Sequence, residues 1–375
     1  MNELAVVTRH TGPRIPPSVT APVPLPIIRF VNPDGTLTEA GRSQEIDTDL
    51  ARALYRHMTR SRALDREALA LQRQGQLALW LMSWGQEAAQ VGSIAALRES
   101  DMVFPSYREH AAALYRDITP AQLFAQWRGI AHSGWDSQKH HFHIYSLVLG
   151  TQALHATGYA AGVKMDRSDE VVTAYFGDGA SSQGDVNEAL NWAAAGTLPV
   201  LFFVQNNQWA ISTPPAVQMR TTLTQRAAGF GLPSWHVDGN DALAVHAVTR
   251  EAAAWVRSGN GPALIEAETY RMAGHSSSDD PTRYRNPDEF SQWEARDPLL
   301  RLEALLKATG TSRSFFDELD EEAQAFASSS REACLRLADP DLADLFESVY
   351  AEPHPVTSRE REQFIAFRAD LETEH

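Results

Sequence analysis

The run Val171-Val-Thr-Ala-Tyr-Phe-Gly-Asp-Gly-Ala180 constrains the fold more than any other stretch of the chain. Its first residues are apolar, aromatic or β-branched without polar alternation, the pattern of a strand covered on both faces in a parallel sheet. The run stops at Gly177-Asp178-Gly179, a turn composition, which puts the Asp178 carboxylate at the C-terminal end of the strand. A helix is expected next, with Asp185 and Glu188 near its start, Val186, Leu190 and Ala193 as its apolar stripe, and Gly196 with Pro199 at its end. Val200-Leu-Phe-Phe-Val204 is a second buried strand, and it delivers Asn206-Asn207 to the same sheet edge. Asp178 and Asn207 are 29 positions apart, room for one helix and one strand. Crevices beyond the C-terminal ends of strands are where open α/β sheets hold ligands. A carboxylate oxygen from Asp178, an amide oxygen from Asn207 and the main-chain carbonyl of Trp209 are the hard donors magnesium takes, commonly shared with a phosphate.

The same strand and helix alternation recurs along the chain. Asp101 to Pro105 and Trp235 to Gly239 are short strands, and Pro262 to Tyr270 is a longer one ending at Arg271. Helices are expected from Asp47 or Thr48 to Gly75, from Ala88 to Leu97, from Leu149 through Gly162, from Leu223 to Phe230 and from Asp241 to Gly259. The small residues Gly158 and Gly162 suit close helix packing. These elements predict an α/β fold with a parallel sheet, carried by residues 41–330. Residues 1–40 are a proline-rich N-terminal arm, with Pro13, Pro16, Pro17, Pro22, Pro24 and Pro26, and residues 331–375 are a helical C-terminal extension.

Composition removes several functional classes. A net charge of −15 and a pI near 5.3 disfavour nucleic acid and anionic membranes as partners. The single cysteine, Cys334, excludes an internal disulfide framework and fits a cytoplasmic protein. No apolar run is long enough to span a bilayer. Lys139-His-His-Phe-His143 lacks the acidic or cysteine companions of a zinc site. A nicotinamide fingerprint fails because Ser182 stands where its third glycine belongs. Leu79 to Trp84 is bulky enough for core or for the wall of an apolar pocket. Arg108 after the first strand carries the forked donors that suit phosphate oxygens. The polar stretch Met272 to Asn286 is a long loop at a strand end, a usual place for function.

Ser106-Tyr-Arg-Glu109, Gly177-Asp-Gly-Ala180, Gln205-Asn-Asn-Gln-Trp-Ala-Ile-Ser-Thr213, Tyr270-Arg-Met-Ala-Gly-His-Ser276 and Asp279-Asp-Pro-Thr-Arg-Tyr-Arg285 occur in that order. In this the chain resembles the alpha subunits of 2-oxo acid dehydrogenase decarboxylase components, from about Asn32 to the last helix. The resemblance implies a thiamine diphosphate-binding fold and an α2β2 heterotetramer with cofactor between alpha and beta chains. It also implies decarboxylation of a 2-oxo acid and acyl transfer to a lipoyl acyltransferase core. Carried over residue by residue, Asp178, Asn207 and the Trp209 carbonyl would hold magnesium. Tyr107, Arg108, Gly177, Gly179, Ala180, Arg271 and His275 would contact the diphosphate or line its site, and Leu149 would contact the aminopyrimidine. His275 is also the candidate for proton transfer near the reacting carbon. Ser146, Val148, Thr151 and Gln152 match a potassium site of branched-chain members. Ser276 matches a serine phosphorylated in some relatives. Leu147 and Gln205 depart from the pattern, where branched-chain relatives can have a serine and an arginine. The activating glutamate is expected from the beta chain, so this chain supplies half a site. A branched-chain acid is the favoured substrate and pyruvate the alternative, with a non-catalytic regulatory paralogue as the reading from another class.

Overall fold

The computed structural model describes residues 24–341, 344–347 and 349–373. Its centre is a five-stranded, wholly parallel sheet of β1 (Met102–Phe104), β2 (Val172–Gly177), β3 (Val200–Asn206), β4 (Ser234–Asp238) and β5 (Ala263–Glu268), in the order β1-β2-β3-β5-β4. Successive side chains of a strand face opposite sides, and both sides here are covered. On one side Tyr175, Leu201, Phe203 and Ile265 pack under the helices Thr48–Arg73, Glu87–Ala96 and Ala242–Trp255. On the other, Val172, Ala174, Phe176, Phe202 and Val204 pack under Thr151–Met165, Gly184–Gly196 and Leu223–Gly229. This explains the uninterrupted apolar runs, since neither face of the central strands meets water. The α/β expectation holds.

Local chemistry places the helix ends where the sequence put them. Asp47 caps the first long helix by accepting from Asp49 N and Leu50 N, and Asp241 caps another by accepting from Ala244 N. Two expectations are corrected. The last strand stops at Glu268, short of Arg271. A Cβ on Gly158 or Gly162 would meet nothing within 4 Å, so packing inside this chain gives no reason for either glycine. Gly150 does have one: it caps the same helix at φ +87°, where a side chain would also crowd Gln183 and Val186.

Residues 1–23 of the proline-rich arm lie outside the described residues. From Ile28 the chain is fastened to the sheet, because Ile28 bridges Val237 in parallel and the amides of Phe30 and Val31 both donate to Asp241 Oδ2 at 2.7 Å. The C-terminal part contains the helices Arg313–Leu335 and Pro355–Thr373, the first packed on Thr48–Arg73. No described helix is long and apolar enough to cross a membrane.

Candidate diphosphate and metal site

The register of the sheet builds the site. Gly177 pairs with Gln205 and Asn206 with Glu268, so β2, β3 and β5 release Asp178, Asn207 and Arg271 at one level. Arg271 N donates to Asn207 O (3.2 Å), and Asn207 N donates to Asp178 Oδ1 (3.2 Å). β1 adds Ser106, Tyr107 and Arg108 from its own C-terminal end.

These residues enclose a cleft with ≈ 650 Å³ of empty space, counting its open mouth. Tyr107, Arg108, Leu149, Gly177, Gly179, Ala180, Asn207, Trp209, Arg271 and His275 all line it. Asp178 lies beneath them, fully buried. Gly179 is required by close approach, since a Cβ there would stand 2.7 Å from that of Ala210. The loop after β3 is strained: Gln208 (φ 70°) and the β-branched Ile211 (φ 55°) occupy the left-handed region. It is held there by mutual Ala210 and Thr213 hydrogen bonds (2.9 Å each) and by Arg271 Nη2 donating to Ile211 O (2.6 Å).

Arg108 and Arg271 are 5% and 1% exposed, yet neither guanidinium has a carboxylate partner among the described residues. Arg108 donates to the carbonyls of Met82 and His275, both at 2.8 Å. Arg271 donates to Ile211 O and to Tyr284 Oη (2.8 Å), and makes a long contact to Trp209 O (3.5 Å). Burial, followed by the charge of Arg108, brings the Arg271 pKa down to about 10. Two buried cations lacking an anion form a receptor for one.

His275 answers to both arginines. Burial and then the charges of Arg108 and Arg271 push its pKa down to about 4. The ring is therefore neutral at neutral pH. Arginine only donates, so Nδ1, facing Arg108 Nη2 at 3.5 Å and Arg271 Nη1 at 3.4 Å, is the acceptor and Nε2 carries the proton. Asp279 Oδ2 fixes this turn by accepting from His275 N (2.7 Å) and Tyr284 Oη (2.5 Å). Arg285 ties the far end of the loop back to its beginning through the carbonyls of Arg271, Met272 and Ala273.

Of the three expected metal donors, Asp178 and Asn207 keep acceptor capacity suited to a hard cation, while Trp209 O already faces Arg271 Nη1 at 3.5 Å. Burial raises the Asp178 carboxyl pKa to about 6; Asn207 N and Gln218 Nε2 (3.3 Å) donate to it, and no cationic side chain among the described residues is bonded to it. This is a buried carboxylate awaiting a counter-charge. Asn207 Oδ1 accepts only Trp209 N (3.2 Å), which leaves it a lone pair. Among the described residues, those of 139–143 included, there is no group of three or more His, Cys, Asp and Glu side chains placed to hold a metal ion.

The structure adds residues that the sequence did not single out. Gln86 lines the cleft and binds Asn207, and Gln218 reaches Asp178 from 40 positions away. Glu109 also lines it, but Ser106 N, Ser106 Oγ and Gln205 Nε2 occupy its oxygens at 2.6, 2.7 and 2.6 Å. Gln205 is committed on both sides, accepting from Gln90 Nε2 at 3.1 Å. No residue from Leu79 to Trp84 lines this cleft. Trp80 and Leu81 are core, while Met82 and Trp84 face a second cavity beside Met272 and Phe290.

The model of the dehydrogenase E1 component matches residues 55–334. This chain belongs to the dehydrogenase E1 component family. It is therefore a 2-oxo acid dehydrogenase component of a family that works with thiamine diphosphate. It is 43% identical to the 3-methyl-2-oxobutanoate dehydrogenase subunit alpha of Mycobacterium tuberculosis, over 96% of this chain and 98% of that one. It is 36% identical to the mitochondrial 2-oxoisovalerate dehydrogenase subunit alpha of Homo sapiens and 35% identical to that of Bos taurus. Each of these alignments covers 94% of this chain, with 81% and 80% of the relatives' lengths.

Proposed function

We propose that this E1 chain is the alpha half of a branched-chain 2-oxo acid dehydrogenase that decarboxylates 3-methyl-2-oxobutanoate and passes the acyl group to a lipoyl group on an acyltransferase core. The observation that carries the reading is the pair of buried, anion-less arginines above the buried Asp178 carboxylate, in a chain whose relatives carry that activity in their names. Bound thiamine diphosphate would supply the electron sink for decarboxylation. Arg108 and Arg271 would hold its diphosphate, while Asp178, the Asn207 amide and the Trp209 carbonyl would hold a magnesium ion beside it. Leu149 is available to the aminopyrimidine, and His275 offers its Nε2–H as a fixed neutral donor. Potassium belongs to the same proposal, because Gln152 Nε2 donates to Tyr175 O (2.9 Å) and leaves Gln152 Oε1 buried without a partner in the segment expected to hold that ion.

A beta chain completes the proposal. Glu109, with both oxygens engaged, is the only carboxylate on the cleft wall among the described residues, so the glutamate expected to activate the cofactor has no candidate here. Large apolar side chains stand exposed beside the mouth, at Leu147 and Val148 just before Leu149, and at Ile211 and Val217. A partner surface would cover them. A cytoplasmic location is part of the same reading and agrees with a buried free thiol at Cys334.

The test is decarboxylation by co-expressed alpha and beta chains with thiamine diphosphate and magnesium, using an artificial electron acceptor. A higher specificity constant for 3-methyl-2-oxobutanoate than for pyruvate is expected. Preference for pyruvate would replace the substrate, and full turnover by the alpha chain alone would refute the shared site.

A further inference from the structure

We infer that Gln86 is an unassigned residue of the metal–diphosphate site: its side-chain carbonyl orients the Asn207 amide, and its free NH2 donates to an anionic oxygen of the bound diphosphate. The inference rests on the functional reading above.

Hydrogen-bond logic fixes the direction of both amides. The main-chain N–H of Trp209 can only donate, so the atom of Asn207 facing it at 3.2 Å must be Oδ1. The other end of that amide, Nδ2, then points at Gln86 and donates at 3.1 Å, so Gln86 presents Oε1. Gln86 Nε2 is left buried with no partner. The residue is 0% exposed and lines the cleft with Arg108, Asn207 and Arg271. A buried amine without an acceptor is a standing cost unless an acceptor arrives. Beside two unpaired guanidiniums, the acceptor that fits is a diphosphate oxygen.

The turn that carries Gln86 is rigid. Gln86 N donates to Ser83 O (2.8 Å), and its carbonyl accepts from Gln90 N (3.1 Å) as the next helix begins. Gly85 (φ +94°) lies so close to Tyr270 O that a Cβ would stand 2.2 Å from it. Gly85 N donates to Glu87 Oε2 (2.8 Å), and Arg62 clamps Glu87 on one side and Asp297 (3.1 Å) on the other. A donor held this way loses little freedom on binding, the condition under which one hydrogen bond has a large effect.

The experiment uses the full chain co-purified with its beta partner. Free Mn2+ is read by electron paramagnetic resonance and thiamine diphosphate by tryptophan quenching, for the parent, Gln86→Glu and Gln86→Met. Gln86→Glu keeps an acceptor for Asn207 but turns the donor into a negative oxygen. It should hold Mn2+ at least as tightly as the parent while binding thiamine diphosphate, at saturating Mn2+, about tenfold or more weakly. Gln86→Met removes both contacts and should weaken both ligands by about tenfold. A merely structural residue would not separate the two affinities. Thiamine diphosphate affinity within about threefold of the parent in both variants, at a saturation where tenfold marks one lost interaction, overturns the inference alone. An equal loss of both ligands in Gln86→Glu overturns it too. A parent that shows no Mn2+-dependent cofactor binding overturns the functional reading and this inference with it. If Gln86→Met fails to assemble, the near-isosteric Gln86→Glu decides.

Discussion

Asp178 is where the site works against the stability of the chain. Burial raises its pKa from 3.8 to about 6, so the folded chain takes up the proton more readily than the unfolded chain. The sign follows: Asp178 favours folding below the unfolded value of 3.8, and that contribution is lost as pH rises through about 6. At about pH 7.5 the ionised carboxylate should cost about 3 kcal/mol when no metal is bound, falling to about half of that at about pH 5. Asp178→Asn removes the charge with little change of shape. The amide oxygen still accepts from Asn207 N, while the new NH2 requires Gln218, which now donates to Oδ2, to turn its amide. Allowing about 1 kcal/mol for that rearrangement, the variant should be more stable than the parent by about 2 kcal/mol at about pH 7.5 in a chelator. Calorimetric or fluorescence melts across pH 5 to 8 supply the test, and the difference between variant and parent isolates Asp178 from Asp65 and Glu109, whose pKa values burial also raises. The gain should shrink toward low pH, and the variant should lose metal-dependent cofactor binding throughout. A variant less stable than the parent at about pH 7.5, by an amount independent of pH, would refute the reasoning.

Other substitutions test the neighbouring parts. Arg271→Met should raise the His275 pKa from about 4 toward the ordinary imidazole value of 6.5 without cofactor, followed by histidine NMR, and should weaken thiamine diphosphate binding at least about tenfold; an unmoved histidine would show that Arg271 has no part in setting its value. Gly179→Ala should push the loop bearing Ala210 outward, costing about 1–3 kcal/mol in a melt and weakening the metal site; an unchanged melting temperature and affinity would show that the loop yields freely. Trp80→Ala should destabilise the chain by about 3–5 kcal/mol, because it empties a fully buried site and strips Asp65 of the indole donor at 2.8 Å. Selective loss of branched-acid turnover with unchanged stability would make Trp80 a pocket residue after all.

How far the chain was legible depended on how local each signal was. The apolar runs of β2 and β3, the Gly177-Asp-Gly turn and the caps at Asp47 and Asp241 are set by neighbours in sequence, and the structure has them in place. Contacts across long separations were silent. Gln86 meets Asn207 across 121 positions, and nothing in a Gly-Gln-Glu turn announces it. The insertion of β5 between β3 and β4 is likewise invisible to periodicity, although it is what brings Arg271 alongside Asn207. From Leu79 to Trp84 the bulk was easy to see and left core and pocket wall both open; Asp65, accepting from the Trp80 indole and Ser83 N, is what turns Trp80 into the core.

The cleft is unbalanced in a way that assigns labour between subunits. This chain brings to the cleft two arginines, a buried carboxylate and two side-chain amides, groups suited to a diphosphate and its cation. Such groups need rigidity, and they stand at the ends of buried parallel strands where the sheet supplies it. Among the described residues the wall has no carboxylate free to exchange a proton, since Asp178 is sealed beneath it and Glu109 is spoken for by Ser106 and Gln205. Under the proposed function, the proton-handling group would come from the beta chain, past the exposed apolar side chains of Leu147, Val148 and Ile211. A site divided like this remains inert in the isolated chain and gains activity only on assembly. An isolated alpha chain that turned over a 2-oxo acid as fast as the assembled protein would contradict that division.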